Sequence, residues 1–262
     1  MQIAEPPAAA PAQATDSTAP PPRRLPAGEG AAWWGESWRI FKAAPGPWIG
    51  IFVIFVVLSC VLIFIPVVGG LAHSVLTPVF VGGVMLGCHA LARGEPLRIG
   101  HLFAGFEGGR FGPLCILGLV WIAFAVVIAI VMVVVVFLML GATGLAALMD
   151  FGGTSPLDYA ALTGAGAAML VVALIALTLA LLVAMAYWFA PALVVLNGEP
   201  PLAALRKSFA ASWTNVGAFL LYGLIYIGLA IVASIPFGLG WLVFGPMIAG
   251  SCYAGWRTIF GK

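Results

Sequence analysis

Charged side chains are what this sequence has least of. No Lys, Arg, Asp or Glu occurs between Lys42 and Arg93, between Arg110 and Asp150, between Asp158 and Glu199, or between Lys207 and Arg257. Charged residues make up 8% of the chain and hydrophobic ones 63%, whereas a water-soluble domain carries about a quarter charged residues. Too little polar side chain is present to cover a soluble surface. A helix needs roughly 20 apolar residues to cross the hydrocarbon core, and each charge-free gap holds at least one such stretch. A soluble globular protein is excluded.

Other absences narrow the chemistry. The cysteines Cys60, Cys88, Cys115 and Cys252 lie in or beside apolar runs, and no CxxC pair occurs. Neither a disulfide framework nor a zinc site has its spacing, so they read as small hydrophobes. No Walker loop, HExxH, GxSxG or dinucleotide fingerprint is present. No charge falls in the middle of a span, where ion-coupled transporters and intramembrane hydrolases place ionisable groups. His73 and His89 would stand about 24 Å apart on one helix, too far to share a metal. Cys88 and His89 are adjacent and point about 100° apart, a poor chelate face, and His101 lies in a segment between spans. Nucleic-acid binding has no support, because the basic residues are spread over membrane-adjacent loops. The expectation is a protein that is not an enzyme and has no cofactor and no metal.

What is present is six apolar runs. They cover roughly 48–65, 71–92, 113–141, 166–196, 216–235 and 237–256. The third is about 42 Å long as a helix, more than the ~30 Å hydrocarbon layer, so it must tilt or protrude. Six spans place all eleven basic residues on one side: Arg23, Arg24, Arg39, Lys42, Arg93, Arg98, Arg110, Arg206, Lys207, Arg257 and Lys262. The opposite loops, including an outer loop over 142–165, carry only Asp150 and Asp158. Lys and Arg concentrate in cytoplasmic loops, so both termini are expected in the cytoplasm. Residues 1–30 lack the apolar core and charged start of a signal peptide. With Pro20, Pro21 and Pro22 in succession, they read as a disordered, Pro/Ala-rich cytoplasmic tail. That tail is either a solvated tether or, through 20–26 with Arg23 and Arg24, a polyproline ligand for an aromatic groove.

Two elements recur along the chain. Gly94-Glu95-Pro96-Leu97, then Phe103 and Phe106, precede one apolar run; Gly198-Glu199-Pro200-Pro201-Leu202, then Phe209 and Trp213, precede another. A looser copy holds Trp34, Trp38 and Phe41. Ile65-Pro66 is followed by Pro78 and Gly82; Ile235-Pro236 is followed by Pro246 and Gly250; Pro191 is a partial echo. The fold expected is therefore all-α: a polytopic membrane bundle of six helices in three parallel two-helix modules, about 31–93, 94–197 and 198–262. Each module would begin with a cytoplasmic interfacial helix. Leu202, Leu205, Phe209 and Trp213 form one apolar stripe, and Trp34, Trp38 and Phe41 repeat it. Such helices either anchor the next span or recognise anionic lipid headgroups.

Gly82, Gly83, Gly87 and Gly250 permit close helix approach. Pro78, Pro191 and Pro246 each remove a backbone hydrogen bond within a span. Interruptions at corresponding points of repeats mark either packing or a binding site. The polar groups in the spans, such as Ser59, Ser74, Thr77 and Tyr187, are expected to bond backbone carbonyls or neighbouring helices.

The pattern Trp38…Phe41-Lys42…Pro45…Trp48, then Ile65-Pro66-Val67-Val68-Gly69, Pro78…Gly82 and Gly94-Glu95-Pro96…Leu102-Phe103-Ala104-Gly105-Phe106, resembles an uncharacterised multi-pass inner-membrane family of proteobacteria. The resemblance spans about 31–262 and is most distinctive in the first hundred residues. It implies a bacterial inner-membrane location and supplies no functional residues. Two functions stand open. One is a non-enzymatic membrane component that organises or regulates a partner or the lipid environment. The other is a small transporter or channel for a neutral or lipid-like substrate. A cavity level with Pro78 and Pro246, lined by Tyr222, Tyr226 or Tyr253, would point to the second, and a solid bundle to the first.

Overall fold

The computed structural model describes residues 22–149 and 159–261. Residues 1–21, residues 150–158 of the expected outer loop, and Lys262 lie outside the described residues. Among the described residues nine α-helices follow one another: α1 (Glu29–Ala43), α2 (Pro45–Ile63), α3 (Val68–Ala92), α4 (Phe111–Met149), α5 (Tyr159–Tyr187), α6 (Ala190–Asn197), α7 (Pro201–Thr214), α8 (Val216–Ser234) and α9 (Trp241–Phe260). A 3-10 segment, Ile99–Phe106, precedes α4. Pro45, Pro191 and Pro201 stand in the first turns of α2, α6 and α7. Their missing N–H is no loss there.

Among the described residues five stretches are long and apolar enough to cross a membrane: Pro45–Ile63, Val68–Ala92, Phe111–Met139, Gly166–Asn197 and Val216–Ser234. That is one fewer than the six expected. Helix α9 falls short of the others in apolarity, since Ser251, Tyr253, Arg257 and Thr258 interrupt its second half. The expected outer loop is also shorter, because 142–149 continue α4 and 159–165 already belong to α5. Along α4 and α5, large apolar side chains such as Val133, Phe137, Met169 and Leu177 point outward. An exposed apolar area of this extent marks a surface whose solvent is not water.

Helix α1 corrects the reading of an interfacial helix. It packs against α8 and α9, and its buried stripe is Gly30, Trp33, Trp34, Ser37 and Phe41. A Cβ at Gly30 would overlap the carbonyl of Ala218 on α8. Ser37 donates to the Met247 carbonyl at 2.5 Å, and Trp33 donates through Nε1 to Thr258 Oγ1 at 3.0 Å. Trp34 stacks on Tyr222 with ring centroids 4.7 Å apart. Trp34 and Phe41, expected as membrane anchors, are 5% and 7% exposed and belong to the core. The reason is the small face beside them: Gly30 and Ser37 let α1 approach closely enough to bury its tryptophans.

Helix α7 packs on the bundle through its small residues. Its buried residues are Ala204, Leu205, Ser208, Ala211 and Ser212. Leu202 and Trp213 face outward, Trp213 with 64% of its surface exposed. Asn215, at the α7–α8 junction, accepts from Leu25 N–H at 2.8 Å and donates to Arg23 O at 3.0 Å. The end of the expected tail is thereby fixed against the bundle.

The hairpin turns of α2–α3 and α8–α9 share a feature. The residue after each Ile-Pro pair, Val67 and Phe237, has a positive φ, 60° and 50° respectively. This conformation is strained for a residue with a bulky or β-branched side chain.

Candidate functional site

Three prolines from three different helices meet around one cavity. Pro78 of α3, Pro191 of α6 and Pro246 of α9 all line it, and each is buried. The cavity measures about 540 Å³, within the range of small-molecule sites. Aromatic and aliphatic side chains form most of its wall, among them Phe52, Phe55, Trp121, Trp188, Met85 and Ile248. No Lys, Arg, Asp or Glu lines it.

The α5–α6 boundary is a broken helix, and the break faces this cavity. Tyr187 ends α5 and Ala190 starts α6, with Pro191 in the first turn of α6. Backbone groups freed inside a membrane are costly and need partners from neighbouring helices. Here α7 and α9 provide them. Phe189 N–H donates to Ser208 Oγ at 3.0 Å, while Ser208 and Ser212 donate to the Met185 carbonyl at 2.8 and 3.2 Å. The Cys252 thiol donates to the Trp188 carbonyl at 3.1 Å. The sequence reading missed Ser208 and Ser212. Their four-residue spacing on the small face of α7 was the available signal.

Polar atoms in the cavity wall gather at the hairpin end of α2 and α3. His73 Nε2 lies 3.2 Å from Ser59 Oγ. Ser74 and Thr77 donate to the Gly70 and His73 carbonyls at 2.9 and 2.7 Å. Tyr187 donates to the Leu117 carbonyl at 2.6 Å. Tyr222, Tyr226 and Tyr253, any of which in such a wall would point to a transporter, do not line this cavity. Tyr222 pairs with Ser251 Oγ at 2.9 Å, Tyr253 with His89 Nδ1 at 3.2 Å, and Tyr226 packs on Phe244. They face the side of α8 and α9 that α1 and the inner end of α3 occupy, which turns them from the cavity.

The candidate glycines sit at packing seams. A Cβ on Gly82 would meet Leu114 Cδ1 at 2.9 Å and Val195 Cγ1 at 3.0 Å. One on Gly87 would meet Leu97 Cδ1 at 2.8 Å, and one on Gly250 would meet Ser37 Oγ at 2.6 Å. Gly83 admits the His101 and Leu102 carbonyls of the 3-10 segment. Of the remaining expected anchors, Trp38, Phe103 and Phe106 are about two-fifths exposed. Phe103 and Phe106 meet Phe80 edge-on, and Phe209 is half-buried and stacks on Trp213. Among the described residues no group of three His, Cys, Asp or Glu side chains is placed to hold a metal.

Over 226 residues the chain is 29% identical to a probable inner membrane protein of Burkholderia thailandensis, an alignment covering 86% of this chain and 80% of that one. This is a multi-pass inner-membrane protein. The likeness spans nearly all of the bundle and agrees with the inner-membrane resemblance drawn from the first hundred residues. No family model matches the chain, and no solved structure matches it.

Proposed function

We propose that this inner-membrane protein is a non-enzymatic carrier whose cavity binds a neutral or lipid-like molecule. The observation that carries the reading is the convergence of Pro78, Pro191 and Pro246 on one apolar cavity of about 540 Å³. Interrupted helices around a site within the membrane are how transporters commonly build binding sites. An uncharged wall suits an uncharged ligand, because an unpaired charge in such surroundings is strongly disfavoured.

The test uses protein released from native membranes and examined by native mass spectrometry. The unmodified protein should retain a small molecule or lipid. Ala249→Phe, which places a ring in the cavity wall, should reduce retention at least about tenfold, as expected for a filled apolar site. Equal retention by the variant would exclude the cavity as the site.

The reading includes six spans with α9 as the last, three parallel modules, and both termini in the cytoplasm. Arg93, Arg98 and Arg110 flank the α3–α4 connection, Arg206 and Lys207 lie on α7, and Arg257 is in the last turn of α9. All of these fall on the side of the chain termini if the spans alternate in direction; Lys207 pairs with the buried Glu199 at 2.8 Å, and the exposed arginines would face anionic headgroups there. The matching backbone of the two Ile-Pro turns supports the modular reading. A reporter fused after Asp150 should read periplasmic, and one fused after Lys207 cytoplasmic. The opposite pair of results would reverse the orientation.

A second reading, that the protein organises a membrane partner, rests on α4. Its 39 residues make about 58 Å of helix, nearly twice the hydrocarbon thickness. With α5 it offers a long apolar surface to a neighbour. A stoichiometric protein partner recovered with the native complex would favour this reading over the carrier.

A further inference from the structure

The cavity is uneven, and its unevenness specifies a ligand. From His73 to Met85 it follows twelve positions of α3, about 18 Å of helix. The first part of that path carries His73, Ser74 and Thr77; the last part meets Trp48, Ile51, Met85 and Cys252. At the far end Trp48 and Met85 are each 1% exposed. Trp48 gives its indole N–H to the Ile40 carbonyl at 3.2 Å, and Cys252 gives its thiol proton to Trp188. The protons of Trp48 and Cys252 at that end are therefore already taken by carbonyls.

The His73 end is different. The Ser74 and Thr77 protons are taken by carbonyls of their own helix, which leaves both hydroxyl oxygens as acceptors. His73 uses Nε2 on Ser59, and its Nδ1 has no partner among the described residues. A head that donates a proton and accepts one satisfies this set. A phosphate or carboxylate would instead face two acceptor oxygens in a wall without Lys or Arg.

We infer, resting on the carrier reading, that the cavity takes a single-chain amphiphile with an uncharged hydroxyl head at His73, Ser74 and Thr77. Its hydrocarbon chain runs towards Trp48, Met85 and Cys252. The recognition of the head is a hydrogen-bond set at one end of an apolar tube, and the chain contributes apolar contact along the rest.

The test places the full-length protein in nanodiscs with hexadecanol carrying a diazirine either beside the hydroxyl or at the terminal carbon. Labelled peptides are mapped by mass spectrometry. The head-proximal probe should label around Ser59 and His73, and the terminal probe around Trp48, Met85 and Cys252. Hexadecanol should compete for labelling about tenfold better than hexadecane or hexadecanoate, the scale of one or two hydrogen bonds in a low-dielectric site. His73→Leu, and separately Ser74→Ala with Thr77→Val, should abolish that preference while the terminal probe still labels the far end. Reversed or indistinguishable labelling by the two probes would overturn the inference. So would hexadecane or hexadecanoate competing as well as the alcohol. Both results leave the carrier reading intact. Absence of cavity labelling by either probe would overturn the carrier reading itself.

Discussion

Trp34→Ala is expected to destabilise the purified protein by about 3–5 kcal/mol, the range for truncating a large buried aromatic side chain. The indole stacks on Tyr222 with an interplanar angle of 9° and on Phe244 with ring centroids 5.6 Å apart. Its Nε1–H bonds the Tyr222 carbonyl at 3.3 Å, so truncation both opens a void and removes a hydrogen bond. Trp213→Ala on α7 makes the contrast. With its ring largely exposed and stacked only on Phe209, it should shift stability by no more than about 0.5 kcal/mol, as surface substitutions do. Denaturation by SDS in detergent micelles, followed by fluorescence, measures both. Equal effects at the two positions would mean that α1 is a surface helix after all.

That contrast shows where the sequence was legible and where it was not. The membrane class and five of the spans could be read because a charge-free apolar run has one stable home. The aromatic-and-basic pattern around Trp34, Trp38 and Phe41 is less decisive, since an interfacial helix and a core helix with snorkelling basic ends present the same residues. What separates them is Gly30 and Ser37, whose meaning depends on Ala218 and Met247 some two hundred residues away. The cavity was half legible. Pro78, Pro191 and Pro246 recur at matching places, but which side of α8 and α9 faced the cavity depended on where α1 packed. The sequence alone therefore left open whether Tyr222, Tyr226 or Tyr253 would line it. The serines on α7 escaped notice because small polar residues carry little periodic signal until the break they serve is known.

A second large effect is expected where the 3-10 segment meets α3. The two backbones touch twice: Gly83 of α3 lies under the carbonyls of His101 and Leu102, and Gly105 lies against the carbonyl of Val79. A methyl group at either position overlaps backbone oxygen, which cannot turn aside as a flexible side chain would. Gly105→Ala should cost about 1–3 kcal/mol, the range for overpacking a tight interior. Gly83→Val, which adds branched carbon at the same seam, should leave little folded monomer by size-exclusion chromatography in detergent. Gly70→Ala and Gly223→Ala, where nothing lies within 4 Å of the added carbon, should elute as the unmodified protein does. If Gly83→Val also elutes unchanged, the close approach of the 3-10 segment is not what holds α3 in place.

The position of α1 also bears on the order in which a ribosome can complete this protein. Helix α1 leaves the ribosome well before the residues that bury Trp33 and Trp34, namely Phe219, Tyr222, Phe244 and Thr258. Arg23 N–H likewise meets the carbonyl of Ile259 at 3.5 Å, joining the two ends of the described chain. Contacts so distant in sequence close late in folding. Until α8 and α9 emerge, the tryptophans of α1 have only membrane surface to rest on, and the sites on the last two helices are what draw them into the bundle.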